Sequence, residues 1–166
     1  RQLGTAFCYG SVADLPSERF WLFLEKVEGR ELYQVGEFEI WQQTARWLAR
    51  LHSRYRTVDG LQVAAKARLI RYDGAYYERW MERASSYQTH TAEGAKTTDQ
   101  LRWKQLTAWY PQVVHELTAL PATLIHGEFY ASNVIVQGAL SSLRVCPVDW
   151  ERAALGPGLI DLAALV

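Results

Sequence analysis

A chain of 166 residues with 49% apolar and 22% charged content has the size and balance of one globular unit with a proper core. Its 18 basic and 18 acidic side chains cancel, which excludes the strongly basic surface of a nucleic-acid binder. No apolar run approaches the roughly 20 residues that span a bilayer and no signal peptide opens the chain, so a soluble, cytoplasmic protein is expected, without nucleic acid or membrane as partner.

The chain opens on a predicted β-hairpin. Thr5 to Val12 and Phe20 to Val27 are rich in aromatic and aliphatic residues, and Ala13 to Arg19 between them carry the Asp and Pro of a turn. Glu28 to Leu32 break that pattern. From Gly36 the period becomes helical: Phe38, Trp41, Ala45, Leu48, Ala49, Leu51 and His52 share one broad face, with Arg46, Arg50 and Arg54 largely off it, which predicts a helix over 37–54. Between 55 and 74, Asp59-Gly60 and Asp73-Gly74 are turn signals around a stretch that reads equally as helix or loop.

Two helical segments follow, over 75–90 and 98–118, separated by a polar segment from Thr89 to Thr98 that contains Gly94. Thr98 or Asp99 is the expected N-cap, and Leu101, Leu106, Trp109, Val113 and Leu117 are spaced as an apolar stripe. Pro121 ends the helical region. Strands are predicted over 122–125, 133–137 and 143–148, then a turn at Gly156-Pro157-Gly158 and a helix opening at Leu159 or Ile160. Cys8 and Cys146 lie in apolar, strand-like runs without C-x-x-C spacing and read as buried free thiols. The seven Trp and nine Tyr read mostly as core or half-buried anchors.

The chemistry concentrates in the run from Leu124 to Val136, which contains His126-Gly127-Glu128 and Asn133, and in Val148-Asp149-Trp150-Glu151. Taken singly, His126 satisfies a buried strand end, Asn133 is a turn residue and Asp149 a surface carboxylate. Together they place a carboxylate and an amide across one loop, with a second carboxylate on an adjacent strand. Magnesium favours such a small set of hard oxygen ligands completed by substrate phosphates. His126-Gly127-Glu128 also satisfies the H-x-E of zinc deaminases, but Cys146-Pro147 has the order of P-C-x-x-C reversed and no second Cys follows. His115-Glu116 lacks its H-E-x-x-H partner, and no G-x-S-x-G elbow or G-x-G-x-x-G loop is present.

These motifs resemble those of the aminoglycoside phosphotransferase and choline kinase-like family, distant relatives of protein kinases. That family's catalytic loop reads His-Gly-Asp-x-x-x-x-Asn and is followed by a metal-binding Asp strand and an Asp-Leu-Ala helix start. Here the counterparts are His126-Gly127-Glu128, Asn133, Asp149 and Asp161-Leu162-Ala163. The resemblance implies an α+β, protein-kinase-like C-terminal lobe, mainly helical, with a short hairpin at its N-terminus and short strands around the catalytic loop. It divides the chain into the end of an N-lobe with its hinge over 1–28 and a C-lobe over 29–166. It further implies ATP-dependent transfer to a hydroxyl of a small molecule, an aminoglycoside-, sugar- or choline-like acceptor. ATP and Mg2+ are then the cofactors, with Asn133 and Asp149 on the metal and Glu128 facing the acceptor hydroxyl. Asp161 braces the loop with His126 packed beneath it, and backbone groups near Glu25 and Val27 hold adenine.

Two departures qualify the resemblance. Glu128 stands where the family usually has Asp, which adds a methylene and moves the acceptor oxygen by about 1 Å, a scale that can cost roughly 100-fold in rate. A glycine-rich loop, a strand lysine and its helix glutamate cannot be placed in the chain, so it is expected to be an interior piece of a longer protein, weakly active or inactive alone. A non-catalytic kinase-like module that binds nucleotide or a partner is the alternative. The acceptor is not named: Glu78, Glu82, Glu93, Asp99 and Glu116 are balanced by Arg79, Arg83, Lys96, Arg102 and Lys104, without the acidic excess suited to a polycation. Tyr76, Tyr77, Trp80, Trp103, Trp109 and Tyr110 either line an acceptor pocket or pack helices, and packing is the simpler reading. The oligomeric state is left open.

Overall fold

The structure, a computed structural model, describes residues 3–91 and 97–165. Gly94 and its neighbours Glu93 and Lys96 lie outside the described residues. In chain order the elements are β1 (Cys8–Asp14), β2 (Arg19–Leu24), β3 (Arg30–Glu31), α1 (Phe38–Tyr55), α2 (Val58–Lys66), β4 (Ile70–Arg71), α3 (Gly74–Thr91), α4 (Thr97–Ala119), β5 (Ala122–Ile125), β6 (Val134–Gln137), β7 (Arg144–Pro147), β8 (Ala154–Pro157) and α5 (Leu159–Ala164). Short 3-10 turns at Leu32–Gln34, Ala131–Asn133, Leu140–Ser142 and Trp150–Arg152 connect them. The mixed fold agrees with the predicted class.

Two compact units form. One comprises Arg1–Arg54, His126–Ala153 and Leu159–Val166. Its hairpin β1–β2 is antiparallel, with Val12 opposite Trp21 and a register shift between Cys8 and Gly10. Both hairpin faces are largely exposed, Phe20 to Leu24 included, so these aromatics are not the buried anchors expected, and Cys8 is exposed too. Richness in aromatic and aliphatic residues marked the strands but not their burial, and a two-stranded hairpin leaves both faces largely to solvent. Cys146 is buried, as expected.

The core of this unit lies between α1 and the antiparallel sheet β3-β6-β7. Ile40, Thr44, Trp47, Leu48 and Leu51 bury one helical stripe of α1, and Thr44 satisfies its hydroxyl on the Ile40 carbonyl at 3.0 Å. Glu39 in the first turn and His52 and Arg54 in the last complement the helix dipole. Trp41 donates its indole N–H to the Val35 carbonyl at 2.8 Å and Trp47 to that of Leu3. Against this wall pack Val134 and Val136 of β6 with Val145 and Cys146 of β7, all buried.

The second unit comprises Tyr55–Ile125 and Ala154–Gly158. Its sheet order is β4-β8-β5, with β4 parallel and β5 antiparallel to the central strand. β8 is buried along its whole length and was not predicted; Gly156 and Pro157, read as a turn, are strand residues here. The ambiguous stretch before it resolves into α2 through a cap, because the Thr57 hydroxyl accepts the Gly60 N–H at 3.2 Å. Asp73 likewise accepts the Tyr76 N–H at 3.0 Å and starts α3. α4 begins at Thr97, so Thr98 and Asp99 lie inside its first turn and are not its N-cap. Its stripe is exposed at Leu101, Leu106, Trp109 and Val113, and Val114 is the buried position. Among the aromatics of α3 and α4, Trp80 and Trp109 are exposed while Tyr76, Tyr77, Trp103 and Tyr110 are half-buried. The Tyr110 hydroxyl donates to the Tyr77 carbonyl at 2.7 Å.

Candidate active site

The loop from His126 to Asn133 is hung from one carboxylate. Asp161, in the first turn of α5 and fully buried, accepts the His126 N–H on Oδ2 at 2.8 Å and the Gly127 N–H on Oδ1 at 2.8 Å. His52 of α1 donates its Nε2–H to the same Oδ2 at 2.9 Å. A buried carboxylate is tolerated when donors meet its oxygens, and here two of the three donors are backbone groups of the loop itself.

His126 is fully buried, and its hydrogen bonds select one tautomer. Its Nδ1 accepts the Glu128 N–H at 3.4 Å, so the proton sits on Nε2, which donates to the Val148 carbonyl at 2.9 Å. Burial lowers its pKa below the ordinary 6.5, in keeping with a neutral ring. Trp150 lies against the ring at 4.5 Å and Phe129 meets it edge-on at 5.7 Å. Phe129 stacks in turn on Trp47 at 5.9 Å, which ties the loop to the α1 core. Gly127 has φ +86°, and a Cβ there would stand 2.3 Å from the Arg152 carbonyl oxygen. Only glycine fits that position.

Glu128 has its backbone fixed at both ends. Its N–H meets His126, and its carbonyl accepts both the Tyr130 N–H at 2.8 Å and an Asn133 Nδ2–H at 3.0 Å. Giving up Nδ2 leaves Asn133 to present Oδ1. The Val148 N–H donates to the Asn133 carbonyl at 2.9 Å, continuing the ladder in which Val134 pairs with Pro147. Asp149 therefore follows directly beside Asn133, exposed, in a left-handed conformation with φ 63° and ψ 62°. That region is uncommon for a residue with a Cβ, though Asp enters it more readily than most. Among the described residues no donor satisfies the Glu128 carboxylate, the Asn133 Oδ1 or the Asp149 carboxylate. Three hard oxygen acceptors are thus carried by this loop and the turn beside it, with no protein donor among the described residues.

Glu25 and Val27 follow β2. The Glu25 N–H donates to the Phe7 carbonyl at 2.7 Å, so its carbonyl is the backbone group available there. Its side chain is held by Arg144 through two parallel bonds of 2.6 and 2.8 Å.

Residues 9–166 match the model of the phosphotransferase enzyme family. The chain belongs to that family. Comparison with curated proteins gives no match. Among solved structures, the GDP complex of aminoglycoside 2'-phosphotransferase-IIIa superposes with a TM-score of 0.66 at 15% identity, covering 95% of this chain and 52% of that one. An aminoglycoside-3'-phosphotransferase of type VIII gives 0.54 at 18% identity, covering 97% and 56%. Both likenesses concern the fold. The chain spans about half the length of these relatives.

Within the phosphotransferase fold, the donor set suits magnesium better than a softer metal. One amide oxygen and one or two carboxylates are the protein's usual share of a magnesium shell, the remainder coming from phosphates and water. Among the described residues no group of three or more His, Cys, Asp or Glu gathers into a metal cage. Sequence reasoning missed His52, seen only as one residue of an apolar helix face, and Arg144, seen only as a strand residue. A histidine on an otherwise apolar stripe was the available signal for the first.

Proposed function

We propose that the intact protein transfers the γ-phosphoryl group of ATP to a hydroxyl of a small molecule. The observation that carries this reading is the set of three oxygen acceptors on Glu128, Asn133 and Asp149, unclaimed among the described residues, on a backbone that is otherwise closely bonded. Asn133 Oδ1 and the Asp149 carboxylate would hold Mg2+. When bound, that ion neutralises phosphate charge as it builds between the attacking and leaving oxygens. The Glu128 carboxylate would orient the acceptor O–H. As the acceptor oxygen bonds to the γ-phosphorus and the bond to the bridging oxygen of ADP breaks, the acceptor proton passes to Glu128. Neutral His126 and Asp161 keep the loop at its place, and the pinned Glu128 backbone leaves the extra methylene to the side chain alone.

Residues 1–28 then supply the end of the N-lobe and the hinge, with the Glu25 carbonyl and the Val27 N–H facing the base, and 29–166 supply the C-lobe. Because one structural relative was solved with GDP, the purine is a matter for direct comparison of ATP and GTP. Aminoglycosides, choline-like amines and sugars are the acceptor classes to screen. Among the described residues no helix is long and apolar enough to cross a membrane, which suits a cytoplasmic small-molecule kinase.

Glu128→Ala tests the reading. In the intact protein it is expected to lower acceptor-dependent ADP release at least 100-fold while nucleotide affinity stays within about threefold. Nucleotide binding with no turnover in the wild-type protein, over the whole acceptor screen, would instead favour a non-catalytic module.

A further inference from the structure

The Arg144 guanidinium opens β7 and is hydrogen-bonded on several sides. Nη1 and Nη2 grip the two oxygens of Glu25, Nε donates to the Gly4 carbonyl at 2.9 Å, and Nη2 also donates to the Thr5 carbonyl at 3.1 Å. The Phe7 N–H also donates to Glu25 Oε2 at 2.9 Å. The two side chains are 28% and 27% exposed, so the pair is only partly withdrawn from solvent, and its bidentate geometry sets it apart from a simple surface bridge. One fork thus ties the strand leading into β1, the exit of β2 and the start of β7. The hairpin itself is exposed on both faces, so few other contacts fix that exit.

The other end of β7 leads to Asp149. The strand between is held by the β6 ladder from Gln137–Arg144 to Val134–Pro147 and by the Val148 bond to Asn133. The five residue steps from Arg144 to Asp149 span at most roughly 17 Å. We infer that Arg144 is a positioning residue for nucleotide binding, whose bridge to Glu25 sets the spacing between the base-binding backbone at 25–27 and the metal-binding end of β7. This rests on the function proposed above. Arg144 touches neither base nor phosphate; it acts through Glu25 and through the strand it begins.

Hydrogen bonding from Arg144, then from the Phe7 N–H, holds the Glu25 carboxyl down at about 2. The bridge is therefore formed at any physiological pH. Lysine cannot replace it, because a point charge lacks the planar fork that meets both carboxylate oxygens and still reaches two carbonyls.

The test is steady-state kinetics in the intact protein with Arg144→Gln, Arg144→Lys, Glu25→Gln, the Arg144→Gln/Glu25→Gln double variant and Val145→Ala. Loss of alignment at the base end is expected to raise KM for ATP roughly tenfold, with kcat within about threefold and acceptor KM unchanged. Arg144→Lys should be no better than Arg144→Gln, and the double variant no worse than either single. Val145→Ala trims the buried residue beside Arg144; it should lower Tm and leave KM for ATP within about twofold. Glu25→Gln keeps the side chain's size and carries the test if the Arg144 variants do not fold. A folded set with wild-type KM for ATP overturns the inference, as does a KM that simply follows Tm through Val145→Ala. A wild-type protein that neither binds nor turns over ATP overturns the proposed function and this inference with it, whereas normal wild-type turnover with unmoved variants overturns the inference alone.

Discussion

The frame of the 126–133 loop and the α3–α4 helices are built on different physics. From His126 to Asn133, several backbone groups have specific polar partners: Asp161 for two N–H groups, Tyr130 and Asn133 for the Glu128 carbonyl. Along α4, intrahelical bonds satisfy most of the backbone, with a gap where Pro111 offers no N–H, and Leu101, Leu106 and Trp109 stand in solvent at 58%, 52% and 71% exposure. A loop held by specific polar contacts restricts each residue type. A helix held by its own ladder does not, and the difference sets where substitutions should hurt.

The largest effect is expected for Asp161→Ala. It removes the fully buried acceptor of the His126 and Gly127 N–H groups and of one His52 bond, and should cost about 4 kcal/mol, read from urea midpoints. A cost below about 1 kcal/mol would mean that the loop does not depend on this carboxylate. Next comes Gly127→Ala, which combines positive φ with a Cβ 2.3 Å from the Arg152 oxygen; about 3 kcal/mol is expected, together with lost turnover.

Acid should act on the same unit in two stages. His126 has its pKa lowered, so its contribution is complete above the ordinary 6.5 and is lost as pH falls through the lower folded value. Glu25 is shifted from 4.5 to about 2, so its contribution is complete above 4.5 and disappears as pH falls towards 2. Chemical denaturation of the wild type against Glu25→Gln from pH 6 to 2 should show the variant losing less stability over the second stage. Equal losses would remove Glu25 from the account. The smallest effect belongs to α4: Trp109→Ala should change stability by less than about 0.5 kcal/mol. A loss of 2 kcal/mol there would erase the contrast between the two regions.

The same contrast explains what could be read from the sequence. His126, Gly127, Asn133 and Asp161 were picked out through the family resemblance, and the structure gives each a geometric setting: a buried ring, a site with no room for Cβ, an amide N–H on the Glu128 carbonyl, a carboxylate for two backbone donors. α1 was legible from its stripe. β8 was not, since Gly156 and Pro157 carry low strand propensity and are strand residues only because β4 and β5 flank them. Asp73-Gly74 was read as a turn when Asp73 is a helix cap; the chemistry of the side chain is the same in both roles. Long-range pairing hid Arg144 and Glu25, which lie 119 positions apart. Nothing local in the chain announces that bond.

The most direct measurement is Mg2+-dependent ADP release from ATP by the intact protein and its Asp149→Asn variant, over a panel of small hydroxyl acceptors. Asparagine keeps the size and tolerance of the left-handed conformation and removes the carboxylate charge. Acceptor-dependent release by the wild type that falls by at least about 100-fold in the variant, with stability unchanged, is the result expected of a metal ligand. Equal turnover by the two proteins would contradict the assignment of this loop as a phosphoryl-transfer site.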